Sequence, residues 1–89
     1  MIRKSFLLIL VIAGWLVSCG NDDTTQKQRF LIRGNNALSE KNYREAQRLF
    51  QEALLIDSCY SPALNNLGIL RFEQKQYMQA IQAYDAALA

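Results

Sequence analysis

Apolar positions along the chain follow two different patterns. From Phe6 to Val17 they form an almost unbroken run, with Phe6 to Ala13 consecutive and no charge inside the stretch. From Phe30 onward they recur at helical intervals: Phe30, Ala37 and Leu38, then Tyr43, Ala46, Leu49, Phe50, Ala53 and Leu54. Between the two, Gly20 to about Gln26 is polar and aperiodic and reads as a flexible tether. The periodic part predicts four helices, over Lys27–Glu40, Arg44–Ile56, Pro62–Gln74 and Met78 to the end. Lys41-Asn42 leaves room only for a tight turn, so the first two helices run antiparallel. Ser61 is the expected N-cap of the third, with Pro62 at its first helical position.

The apolar run is too short to be a permanent span, which needs roughly 20 apolar residues. Arg3 and Lys4 precede it and small residues close it, the layout of a secretory signal peptide over residues 1–18. Leu16-Val17-Ser18-Cys19 then resembles the bacterial lipobox, with a large aliphatic residue three before a cysteine and a small one directly before it. The resemblance implies a diacylglyceryl thioether on Cys19, cleavage after Ser18 and acylation of the new amino terminus. Several acyl chains, at about 0.8 kcal/mol per buried methylene, hold a protein stably on a bilayer. Gly20, rather than aspartate, after the lipidated cysteine points to the outer membrane. Asp22 and Asp23 also resemble acidic signals that carry some lipoproteins to the cell surface.

Residues 27–89 contain an internal repeat. At a shift of 34, Gly34 falls on Gly68, Lys41 on Lys75, Tyr43 on Tyr77, Ala46 on Ala80, Ala53 on Ala87 and Leu54 on Leu88. Phe30 with Leu64, Leu38 with Phe72 and Phe50 with Tyr84 are conservative pairs. A period of this length, with small and aromatic residues at fixed places, describes stacked helical hairpins. Gly34, Ala46 and Ala53 mark the close backbone approaches, with Phe50 filling the space beside them. Glycine inside a helix costs about 0.5–1 kcal/mol relative to alanine, so its return at Gly68 points to a packing need.

These residues resemble the tetratricopeptide repeat family. Its pattern is met by Phe30, Gly34, Tyr43, Ala46, Phe50, Ala53, Leu54 and Asp57. A second copy runs through Leu64, Leu67, Gly68, Tyr77, Ala80, Tyr84, Ala87 and Leu88, and Tyr60 to Gly68 is close to the family's inter-repeat sequence. Arg33 stands where leucine is usual and Ser58 where proline is usual; Arg33 implies a partly exposed first helix, as at an N-terminal cap. The expected fold is all-α: a two-repeat, four-helix solenoid of antiparallel hairpins after the signal peptide. Its segments are residues 1–18, 19–26 (lipidated cysteine and tether), 27–60 (first repeat) and 61–89 (second repeat, incomplete).

In this family the first helices of successive repeats line a groove for extended peptides or partner helices. Carried over, that face comprises Gln28, Leu31, Asn35 and Leu38, then Asn65, Ile69, Phe72 and Glu73. Leu31, Leu38, Ile69 and Phe72 make it partly apolar, while Asn35 and Asn65 supply amides able to hold a peptide backbone. Leu38 and Phe72 can equally serve inter-helix packing. Members that clamp a C-terminal carboxylate carry lysine where Leu31 stands, which argues against a chaperone-tail clamp.

Composition narrows the function from the other side. The chain has no histidine, which removes the commonest general base and metal ligand, and it has two cysteines without the paired spacing of a zinc site. A net charge of +2 is too small to indicate a nucleic-acid partner. An enzyme, a cofactor and a metal are therefore not expected. Arg44, Glu45, Arg48, Glu52 and Asp85 read as a solvated outer face with Glu45–Arg48 and Arg48–Glu52 pairing. Lipidation of Cys19 would leave Cys59 either buried beside Tyr60 or placed to cross-link two chains.

The expected function is that of a lipid-anchored scaffold or assembly factor in the bacterial envelope, facing the periplasm or the cell surface. It would bind another protein through the groove and a bilayer through Cys19. The alternative is the amino-terminal part of a larger envelope protein whose enzymatic or export activity lies beyond residue 89. Because repeat proteins usually need about three units, self-association through the C-terminal hairpin is also expected to be possible.

Overall fold

The structure, a computed structural model, describes residues 24–89. The signal peptide and lipobox expected over residues 1–19 lie outside the described residues.

Four helices make up the described part: α1 (Thr24–Ser39), α2 (Tyr43–Ile56), α3 (Ser61–Glu73) and α4 (Tyr77–Leu88). The fold is all-α, and the helices pair as two hairpins, α1 with α2 and α3 with α4. Helix α1 begins three residues earlier than the pattern indicated, so Thr24, Thr25 and Gln26 belong to it rather than to a tether. Ser61 is likewise inside its helix: Tyr60 holds the N-cap position without a side-chain cap bond. Pro62 supplies the start signal in its place, because its fixed φ suits the first helical turn.

Both hairpins turn the same way. Lys41 and Lys75 sit at φ 61° and 64°, in the left-handed region. At the first turn the Asn42 N–H reaches Ala37 O and the Lys41 N–H reaches Leu38 O, each at 2.9 Å. At the second, Gln76 N–H reaches Arg71 O at 2.8 Å and Lys75 N–H reaches Phe72 O at 2.9 Å. This pair of bonds closes a helix C-terminus and satisfies carbonyls that the helix itself cannot.

Ala46, Leu49, Phe50, Ala37 and Leu70 form the core, with Phe30, Leu31, Leu38, Tyr43 and Leu67 packed around it. Phe50 and Leu70 are the largest fully buried side chains. Burial of each contributes about 1.5–3 kcal/mol. Leu70 belongs to the second hairpin and the other four residues of this cluster to the first, so the hairpins share one core. At the opposite end from the turns, Lys27 Nζ meets Asp57 Oδ2 at 2.8 Å and lies 4.8 Å from the Tyr60 ring centroid. Asp57 Oδ1 accepts the Cys59 N–H at 3.0 Å. The start of α1 is thereby tied to the connector between repeats.

Candidate interaction surface

The predicted groove face spans α1 and α3. Of its residues, Gln28, Asn35, Asn65, Phe72 and Glu73 are exposed, and Leu31, Leu38 and Ile69 are half-buried. Leu31 and Leu38 pack against the core. Phe72 does not: it is 57% exposed and meets Tyr77 edge-on, with ring centroids 5.3 Å apart. The two residues that match at the repeat spacing thus differ, Leu38 serving packing and Phe72 surface.

Amide side chains bridge the two helices. Asn65 Nδ2 donates to Asn66 Oδ1 at 3.4 Å, and Asn66 Nδ2 donates to Asn35 Oδ1. Asn66 was not among the predicted groove residues, yet it links the two that were. The signal for it was the doubled Asn65-Asn66, which puts an amide both on the groove and on the edge facing α1. Asn35 keeps its exposed amide nitrogen as a donor for an incoming carbonyl.

The groove ends in a carboxylate. The Glu73 carboxylate lies near enough to the Tyr43 phenol for its charge to act on it. Burial of the tyrosine, followed by the charge and hydrogen bond of Glu73, raises the Tyr43 pKa above its ordinary value. Tyr43 therefore stays a neutral phenol at neutral pH.

Outside the groove, Arg71 Nη1 donates to Gln47 Oε1 at 3.0 Å and to Gln76 Oε1 at 3.2 Å. Arg48 donates to both carboxylate oxygens of Glu45, which lowers the Glu45 pKa and raises that of Arg48. Both are well exposed, so this pair contributes little to stability. A depression of about 540 Å³ is lined by Leu64, Leu67, Arg71, Gln79, Gln82 and Ala83, none of them a groove residue.

Cys59 is not buried beside Tyr60: it is exposed, and it is disulfide-bonded. The bond from its N–H to Asp57 holds it in the short turn after α2, away from the core. Among the described residues no cluster of three or more His, Cys, Asp or Glu could hold a metal ion. No helix among them is long and apolar enough to cross a membrane.

Residues 49–82 match the tetratricopeptide repeat family, over one full period from α2 into α4. The chain carries a tetratricopeptide repeat. No curated protein and no solved structure matches it. Tetratricopeptide repeats typically bind proteins or peptides, and here the exposed amides, the Phe72 ring and the Glu73 carboxylate lie along α1 and α3. An extended peptide needs backbone donors and acceptors plus apolar spots for alternate side chains, and the α1–α3 face offers both.

Proposed function

We propose that the protein is a non-enzymatic scaffold of the bacterial envelope, lipid-anchored through Cys19, that captures another envelope protein on its α1–α3 face. The observation carrying this reading is that Phe72 remains 57% exposed on the helix that also carries the Asn65 and Asn66 amides, although its counterpart Leu38 is packed inward. An exposed aromatic ring within a polar surface is the kind of anchor that protein interfaces favour. Leu16-Val17-Ser18-Cys19 supports the anchor, and Gly20 supports the outer membrane. The groove then works within reach of the bilayer, and its occupant is an extended segment or helix of a neighbouring envelope protein.

Two measurements test the reading. Metabolic labelling with palmitate should mark the protein and fail with Cys19→Ser; labelling that persists in the variant would rule out the anchor. Capture of envelope proteins by the wild-type chain should lose its specific partner when Phe72→Glu and Asn65→Asp are introduced. If every partner is retained, the groove assignment fails.

A further inference from the structure

Cys59 lies exposed in the short turn after α2 and is disulfide-bonded, and the 89 residues contain one other cysteine, Cys19. The fold brings the chain that leads to Cys19 up to that turn. Lys27, in the first turn of α1, places its ammonium 2.8 Å from Asp57 Oδ2 and 4.8 Å from the Tyr60 ring centroid, while Asp57 Oδ1 accepts the Cys59 N–H. The Lys27 and Asp57 side chains are only 12% and 10% exposed, so this tie is shielded from solvent and from screening by salt.

Five residues separate Thr24, the first residue of α1, from Cys19, a reach of up to about 17 Å. A stretch of that length spans to a turn held one helical turn from its start. It also gives the two sulfurs an effective concentration on the order of millimolar, which favours pairing within the chain over cross-linking to a second molecule. The same Cys19 sulfur is the one that the lipobox resemblance marks for a diacylglyceryl thioether. Alkylation needs a thiolate, and a sulfur held in a disulfide has none to offer. The two modifications of Cys19 therefore exclude each other.

We propose that Cys59 is a redox switch on membrane anchoring: an intrachain Cys19–Cys59 disulfide withholds Cys19 from lipidation, and reduction of that bond releases it. The switch presupposes the Cys19 anchor proposed above. Closing the bond takes two electrons and two protons from the two thiols and passes them to a donor disulfide, which becomes a dithiol. Opening reverses the balance. One sulfur of a dithiol reductant attacks the sulfur of exposed Cys59, forms a mixed disulfide with it and expels Cys19 as the thiolate. The second sulfur of the reductant then displaces Cys59 and closes the reductant's own disulfide. One of the dithiol's protons ends on Cys59 and the other in solvent. The Cys19 thiolate forms its C–S bond to the glyceryl carbon of a phospholipid donor, whose headgroup phosphate leaves with the electrons of the broken C–O bond.

The test labels bacteria expressing the full chain with palmitate, in medium containing either a thiol oxidant or dithiothreitol. Wild type should carry about tenfold less label in the oxidant, the ratio that a shift of about 30 mV in redox poise produces for a two-electron couple. Cys59→Ser, altered at an exposed turn residue, should carry the full label in both media. Unlabelled wild-type protein should yield tryptic peptides 5–27 and 49–71 linked to each other without reductant. The proposal is overturned if wild type and Cys59→Ser label equally in the oxidant. It is also overturned if the unlabelled protein has both thiols free, or has Cys59 bonded to a second chain. Label absent from both chains in both media overturns the Cys19 anchor as well, whereas wild-type label indifferent to redox conditions removes the switch and leaves the anchor standing.

Discussion

Phe50 occupies the space that a side chain at position 34 would need: a Cβ on Gly34 would stand 2.5 Å from Phe50 Cε1 and 2.7 Å from its Cδ1. The Gly68–Tyr84 pair repeats the arrangement at 2.6 and 2.7 Å. The two aromatic rings are not equally able to move, because Phe50 is fully buried and Tyr84 only half-buried. Alanine gains about 0.5–1 kcal/mol over glycine in a helix, and overpacking a closed core costs about 1–3 kcal/mol. At position 34 overpacking wins, so Gly34→Ala should lose about 1–2 kcal/mol in urea unfolding. Gly68→Ala should lose less than half as much, since the Tyr84 ring can shift. Equal losses would refute the claim that ring mobility decides the outcome.

Lys41 and Lys75 pay a conformational cost that glycine would avoid. A non-glycine residue in the left-handed region is disfavoured by about 1–2 kcal/mol, partly offset by the greater freedom of glycine in the unfolded chain. Lys41→Gly and Lys75→Gly should each raise stability by about 0.5–1 kcal/mol, additively, because the turns lie in separate hairpins. Denaturant midpoints that fall instead would mean that the lysine side chains hold these turns.

Much of this architecture was legible in the residues, because helical spacing and a repeated glycine-aromatic pair are local signals that tertiary packing confirms. All four helices lie within three residues of the expected starts. The misses have a common cause, which is that contacts between elements leave no spacing in the sequence. Thr24–Gln26 looks like tether by composition but forms the first turn of α1, next to the Lys27–Asp57 ion pair. Ser61 has the right chemistry for a cap, yet the chain enters the helix one residue earlier. The bond between the two hairpins was not readable either: Asn66 to Asn35 depends on how the hairpins dock.

Tyr43 gives the fold an alkaline limit, through its burial first and the nearby Glu73 charge second. The pKa of Tyr43 is raised in the folded state, so the folded chain holds a proton that the unfolded chain releases once pH passes the ordinary tyrosine value of 10.0. The unfolded state then binds fewer protons, and stability falls as pH rises through this range. Its contribution is fully present below pH 10. Unfolding midpoints measured between neutrality and strong alkali should drop more steeply for wild type than for Tyr43→Phe. Parallel curves would show that Tyr43 titrates as it does in the unfolded chain.

The bonding of Cys59 and the proposed anchor compete for the same chemistry. Cys59 is disulfide-bonded, and the only other cysteine in the sequence is Cys19. A diacylglyceryl thioether occupies the sulfur valence that a disulfide needs, so a lipidated Cys19 requires the partner of Cys59 to come from a second molecule. Protein taken from membranes with thiols blocked should then migrate without reductant as a disulfide-linked species. With reductant it should collapse to a lipid-bearing monomer, and Cys59→Ser should give that monomer under both conditions. Precursor that escapes lipidation should run as a monomer throughout, since both sulfurs remain available within one chain. A lipid-bearing wild-type monomer in the absence of reductant would show that the anchored protein does without the Cys59 disulfide.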